Sequence, residues 1–292
     1  MKLPPLDYIC AATLSEAIAA LAAHGGNAKV IAGGQSLMPM LAFRLAAPSI
    51  LVDIGRLPDL KTISISAEGI DFGALVTWRD IERDARLAQA HPLLAAAVAH
   101  VAHYQVRNRG TVGGSMAHAD PAAEMPGIAV TCDAMLTIVG SNGCRIVRAD
   151  EFITGGLSTV LEADEILTSI HLPPWKKARR WAFEEFARRR GDFALAGVAA
   201  FYDIDAQGLA FDAHVGIIGV ADRPARLPGV EALLNGRRID TDVILQAATA
   251  ARDAVDPADD IHAEAAYRRD LLGVLLERAL ARAANITLPE AA

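Results

Sequence analysis

Two short glycine turns with hydroxyl neighbours are the residues of this chain best suited to chemistry: Gly33-Gly34-Gln35-Ser36 and Thr111-Val112-Gly113-Gly114-Ser115. Glycine allows positive φ and carries no Cβ, so consecutive amides can point into one concavity and approach phosphate oxygens closely. Ser36, Thr111 and Ser115 can add hydroxyl donors. Two such nests from separated segments suit a pyrophosphate bridge, whose oxygens face both ways, better than a single terminal phosphate. Neither turn is a GxGxxG, nor a GxxxxGK followed by Ser or Thr, so both standard nucleotide fingerprints are absent. Each Gly-Gly also reads as a plain turn between elements, and spacing alone leaves the two readings open.

Around these turns the sequence lays out regular elements. Thr13 followed by Glu16 fits a capping box, and the Ala- and Leu-rich run 14–24 continues as a helix ended by Gly25-Gly26. A short strand over 28–32 leads into the first turn, and the apolar run 37–45 and a β-like run over 49–54 complete a small β-α-β unit. Residues 70–74 read as a strand, 77–86 as a helix capped by the Thr77 hydroxyl, and 91–105 as a second, Ala-rich helix. The stretch 107–121, dense in Gly, Ser, Asp and Pro, reads as an ordered loop without regular structure.

Ser141-Asn142-Gly143, between β-like runs 134–139 and 145–148, is an Asn-Gly hairpin signal, and 166–172 is one more strand before Pro173-Pro174. That doubled proline and the basic run 176–180 mark a domain boundary. Beyond it, strands over 194–203 and 210–220 and helices over 230–234, 242–254 and 265–284 predict a second, α+β domain.

Composition excludes several classes. A length of 292 residues favours two domains, and 52% hydrophobic residues with only 5% aromatic require a core of Ala, Leu, Ile and Val. With a net charge of −7 and Arg188 to Arg190 as the longest unbroken basic run, the chain offers nothing that tracks a nucleic acid. Apolar stretches break before about 18 residues and no export signal opens the chain, so the expectation is no transmembrane segment and a cytoplasmic location, or one at the inner face of the membrane. Cys10, Cys132 and Cys144 form no CxxC pair, and His100 and His103 have no third ligand near in sequence, so no metal is expected on this chain.

The segments Ala32-Gly33-Gly34-Gln35-Ser36-Leu37 and Arg107-Asn108-Arg109-Gly110-Thr111-Val112-Gly113-Gly114-Ser115, followed by Ala117-His118-Ala119-Asp120-Pro121-Ala122-Ala123-Glu124, closely resemble the FAD-binding medium subunits of the xanthine dehydrogenase and carbon monoxide dehydrogenase family. The resemblance extends over essentially the whole chain. It implies an α+β fold: a two-subdomain FAD-binding domain of the vanillyl-alcohol-oxidase (PCMH) type over 1–175, with subdomains at about 1–55 and 56–175, then a smaller C-terminal domain over 178–288.

It also implies site residues. By position, Ala32 to Ser36, with Leu37 beside them, hold the pyrophosphate from one side, and Thr111, Gly113, Gly114 and Ser115 contact it from the other. Ala117 falls beside the cofactor, His118 and Asp120 are either cofactor neighbours or hydrogen-bonders that stabilise the loop, Glu124 matches an acidic position that binds the flavin's sugar or ribityl portion, and Leu167 matches an apolar neighbour. Phe193, after Asp192, falls where relatives place a side chain over the isoalloxazine ring, although core packing also explains a phenylalanine there. Gln35 stands where some relatives have His, which favours non-covalent FAD.

The function implied is that of the flavin subunit of a molybdenum hydroxylase complex. A large subunit carrying the molybdopterin cofactor and a small subunit carrying two 2Fe-2S clusters complete a heterotrimer, itself dimerised, and electrons leave FAD for NAD+, a quinone or another carrier. No side chain is expected to act as a catalytic acid or base, since the flavin carries the chemistry. The alternative is a self-sufficient flavin oxidase or dehydrogenase with its own small organic substrate.

Overall fold

The computed structural model describes residues 3–288, and the expected α+β class is borne out. Strand β1 (Asp7–Cys10), helix α1 (Leu14–His24), strand β2 (Ala28–Ile31), helix α2 (Leu37–Ala42) and strand β3 (Ile50–Asp53) form a parallel three-stranded sheet of order β1-β3-β2. Thr13 caps α1 by accepting from the Glu16 amide, while the Glu16 carboxylate accepts from Ala12 and not from Thr13. Ala17 and Leu21 of α1 bury against Ile50 and Val52.

A second sheet of order β4-β5-β10-β6-β7 uses β4 (Ile63–Ser66), β5 (Gly69–Gly73), β6 (Met135–Gly140), β7 (Gly143–Arg148) and β10 (Ile166–Leu172). Between β5 and β6 run α3 (Trp78–Arg83), α4 (Ala85–Ala90), α5 (Pro92–Val98), α6 (Tyr104–Arg107), α7 (Val112–His118) and α8 (Glu124–Thr131). After β7 come α9 (Ala149–Phe152), β8 (Ile153–Gly155) and β9 (Ser158–Thr159). The β6–β7 hairpin forms where the Asn-Gly signal stands, but its loop is Ser141-Asn142, with Gly143 at φ 113 already paired with Gly140.

Three sequence expectations are corrected here. The helix over 77–86 divides at Asp84, whose carboxylate accepts the Arg86 amide and so starts a new helix. The helix over 91–105 stops at Val98: Ala102 turns to φ 41, and the Arg107 guanidinium takes the freed carbonyls of Val101 (3.0 Å) and Ala102 (2.8 Å). His100 and His103 therefore share no helix face. The loop expected over 107–121 contains α7, because the Thr111 hydroxyl caps it and Gly113 lies against Ala74, where a Cβ would come within 2.4 Å of the Ala74 Cβ. Glycine in a helix costs about 1 kcal/mol relative to alanine, and this close packing offsets it.

The C-terminal sheet is antiparallel, of order β11-β12-β13-β14: β11 (Arg180–Phe186), β12 (Ala196–Ile204), β13 (Ala210–Ile218) and β14 (Ala225–Arg226). Strand alternation sends Val198, Ala200 and Tyr202 toward α10 (Pro228–Leu234), α11 (Thr241–Asp253) and α12 (Ala265–Ala284). Phe183, Ala199, Phe201 and Ile218 point the other way, into the core beneath the second sheet. Helix α8 lies on that face so closely that a Cβ on Gly127 would come within 2.4 Å of Ile218.

The stretch 173–180, read from sequence as a boundary, is tightly packed. Trp175 lies 4.5 Å from His91 and 5.4 Å from Phe201 between ring centroids, and Arg179 covers Phe201 at 4.1 Å while pairing with Asp203 and Asp212.

Candidate functional site

A single cleft of about 1470 Å³ runs between the first sheet, α7 and the C-terminal sheet. Pockets for drug-sized ligands hold roughly 300–1,000 Å³, so this one suits a longer molecule. Every site residue anticipated from sequence lies along it.

One wall is the turn after β2. Ala32 to Ser36 and Leu37, the first residue of α2, line the cleft, with Gly34 at φ 72. Among the described residues no protein acceptor takes the amides of Gly33, Gly34, Gln35 or Ser36, and the Gln35 side chain folds back onto the Gly33 carbonyl at 3.1 Å. Four consecutive unpaired amides beside a serine hydroxyl are donors left free for an anionic group in the cleft.

The facing wall is built differently from the sequence expectation. Thr111, Gly113, Gly114 and Ser115 line it, but their amides do not form a second nest. Gly113 donates to Ala74 O (2.9 Å), Gly114 to Thr111 Oγ1 (3.1 Å) and Ser115 to Thr111 O (3.0 Å). What this wall offers is hydroxyl groups and a glycine surface: a Cβ on Gly114 would meet Thr111 Oγ1 at 2.8 Å on its own wall and the Ala32 Cβ at 4.0 Å on the facing one. The two turns also interlock, since a Cβ on Gly33 would fall 1.9 Å from the Arg109 carbonyl oxygen.

Further along, Ala117 and His118 close α7, and Asp120 lines the cleft while its carboxylate accepts the Ala122 amide at 2.9 Å. Glu124 opens α8 and is only 9% exposed. Burial, reinforced by the nearby charges of Glu185 and Asp120, raises its pKa to about 8. At neutral pH it is therefore a neutral acid, able to donate a hydrogen bond to a ligand hydroxyl. Leu167 is buried on β10, whereas Asp192 and Phe193 are exposed on the β11–β12 loop, Phe193 by 62% at the cleft mouth.

Sequence reasoning missed the walls supplied by 157–165 and by the C-terminal half. Glu165 is held there by a two-bond pair with Arg145 at 2.8 and 2.7 Å. Arg188, Asp260, His262 and Arg268 add polar groups at the C-terminal side. One of them had a signal: Arg268 sits on the apolar stripe of α12 with Leu272, Leu275, Leu276 and Ala279, where a charge demands a partner. Among the described residues no group of three or more His, Cys, Asp or Glu is placed to hold a metal ion, and no helix is long and apolar enough to cross a membrane.

Comparison with known proteins agrees with this geometry. Residues 4–175 match the family model of the FAD binding domain in molybdopterin dehydrogenase, and residues 181–283 that of the CO dehydrogenase flavoprotein C-terminal domain. The chain is 37% identical over 289 residues to the 6-hydroxypseudooxynicotine dehydrogenase complex subunit alpha of Paenarthrobacter nicotinovorans, covering 99% of this chain and 98% of that one. Among solved structures, quinoline 2-oxidoreductase from Pseudomonas putida 86 superposes with a TM-score of 0.93 at 40% identity, covering 98% of this chain and 99% of that one. Carbon monoxide dehydrogenase from Hydrogenophaga pseudoflava, in a form lacking the Mo-pyranopterin moiety of its cofactor, gives 0.94 at 35%, covering 97% and 98%. With an FAD-binding domain, a matching C-terminal domain and oxidoreductase subunits as relatives over nearly its full length, this chain belongs to the family of FAD-binding medium subunits of molybdenum hydroxylases.

Proposed function

We propose that this chain passes electrons from the 2Fe-2S clusters of a small partner subunit to an external acceptor, within a heterotrimer whose large subunit oxidises substrate at a molybdopterin centre. The observation that carries the reading is the run of unpaired amides at Gly33 to Ser36 in a cleft long enough for a dinucleotide. That cradle fits the pyrophosphate of FAD, with Thr111 and Ser115 as hydroxyl donors from the facing wall. Leu37 and Gln35 border the cradle, and Ala117, His118 and Asp120 flank its far side. The neutral Glu124 carboxyl fits a sugar or ribityl hydroxyl. When bound, FAD supplies redox chemistry that accepts electrons singly and yields them singly or in pairs.

We place the FAD-binding domain over 1–175, with subdomains at about 1–55 and 56–175, and the C-terminal domain over 178–288. The protein's part is to seat the flavin, with Leu167 as an apolar wall and Asp192 and Phe193 at the mouth. Purification of the chain with its companion subunits and excess FAD tests the reading through flavin absorbance and occupancy. About one FAD per chain is expected, and a well-folded complex without uptake would remove it.

Phe193, exposed at the mouth, is positioned to cover one face of a bound ring. Phe193→Ala is expected to alter the flavin absorption envelope and raise the rate of reoxidation by artificial acceptors severalfold, leaving FAD occupancy unchanged. Stopped-flow reoxidation checks this, and identical spectra and rates would assign Phe193 to packing alone.

A further inference from the structure

Arg268 is 6% exposed, yet its guanidinium bonds to three separate segments that all line the cleft. Nη1 donates to the carbonyls of Leu195 (2.8 Å) and Gly219 (2.9 Å), and Nη2 donates to Asp260 Oδ2 (2.7 Å). Leu195 follows Phe193 by two residues. Gly219 in turn donates to Pro121 O at 2.9 Å, which ties the same guanidinium to the loop that carries Asp120.

Asp260 belongs to the segment between α11 and α12, of which Pro257, Ala258, Asp260 and His262 face the cleft while Ile261 is 90% exposed outside. Beyond the buried Pro257, this segment is exposed and held by polar ties. Asp260 Oδ1 accepts the amides of His262 (2.8 Å) and Ala263 (2.9 Å), Asp259 accepts the Ala265 amide (2.6 Å), and Arg188 donates to the His262 carbonyl. The Arg268–Asp260 pair joins it to the wall of the cleft through a buried guanidinium, beside the more exposed tie from Arg188. A bond between two ions, one of them buried, is stronger than a neutral bond and costly to leave half made.

We propose that Arg268 is a positioning residue for cofactor retention: with Asp260 it forms a latch that holds residues 257–262 over the C-terminal side of the cleft, so that bound FAD leaves only when the latch opens. The proposal rests on the reading that this cleft holds FAD. Its polarity is specific, because Arg268 reaches two backbone carbonyls of the wall and one carboxylate of the strap at once, a pattern that the single ammonium of lysine does not reproduce.

The experiment compares the wild-type complex with Asp260→Asn and Arg268→Lys by hydrogen exchange of the 258–264 amides, by the rate of FAD release into the apoprotein of an FAD-dependent oxidase as trap, and by Tm. Asp260→Asn keeps both wall bonds of Arg268 and an acceptor oxygen for the His262 and Ala263 amides, and removes the charge that Arg268 grips. Its strap exchange and FAD release are expected to rise about fivefold with Tm unmoved, and Arg268→Lys is expected to exceed it. Unchanged strap exchange in both variants overturns the latch. So does a fall in Tm with exchange raised evenly across the chain, which would make Arg268 a structural prop. Should wild-type take up no FAD, the cleft reading falls, and strap exchange in the apo chain still decides the latch.

Discussion

Gly33→Ala is expected to lose at least about 3 kcal/mol of stability and most of its FAD. The added Cβ would lie 1.9 Å from the Arg109 carbonyl oxygen and 2.7 Å from its carbon, so backbone meets backbone and no side chain can swing aside. Relief requires the turn after β2 to move away from the α6–α7 connection, which separates the amide nest from the hydroxyl wall it faces. A control is at hand in Gly229, where a Cβ meets nothing within 4 Å, and Gly229→Ala should stay within about 0.5 kcal/mol of wild type. Urea unfolding and FAD titration of both variants check the pair. A Gly33→Ala protein as stable and as yellow as wild type would show that the two turns do not interlock.

The second large effect is a pH dependence. Burial, with the charges of Glu185 and Asp120, raises the folded pKa of Glu124 to about 8, against about 4.5 for the unfolded chain. The folded protein thus holds a proton that the unfolded chain releases between those values. Stability from this group is complete below about pH 4.5 and declines as pH rises, until the acid ionises near 8. The loss is on the order of a few kcal/mol over that window. Glu124→Gln, a neutral isostere, should flatten the decline between pH 5 and 8 and raise stability at pH 8 above that of wild type. Chemical unfolding of the apo chain across that range is the measurement, and parallel curves for the two proteins would place the titration elsewhere.

Much of the fold is legible because its signals are local. The helix 265–284, the strand 166–172 and the 141–143 turn carry their own periodicity or turn chemistry and appear where expected. Elements whose cause is tertiary are not. β11 hides behind Glu184 and Glu185, charged residues in a half-buried strand, of which Glu184 has Arg282 at 2.9 Å from an element far along the chain. Helix α7 hides behind its glycines, whose packing partner Ala74 is distant in sequence.

The site divides in the same way. The positions around the cleft are readable as motifs, but which of their amides are free is not. The Val112 amide is taken by Val76 across the Thr77–Thr111 β-bridge and the Gly113 amide by Ala74 beside it, and nothing in the glycine-rich sequence announces either. Arg268 lies between these cases, marked by its charge on an apolar stripe yet without a visible partner until the chain is folded.

The apolar layer beneath the second sheet is completed by Phe183, Phe201 and Ile218, which come from strands well past the doubled proline. Neither side of that proline pair is self-sufficient: a fragment ending there would present a raw oily surface and invite clumping. Exchange of modules between related enzymes, at the seam where the two family patterns meet, must therefore transplant both faces of this layer together.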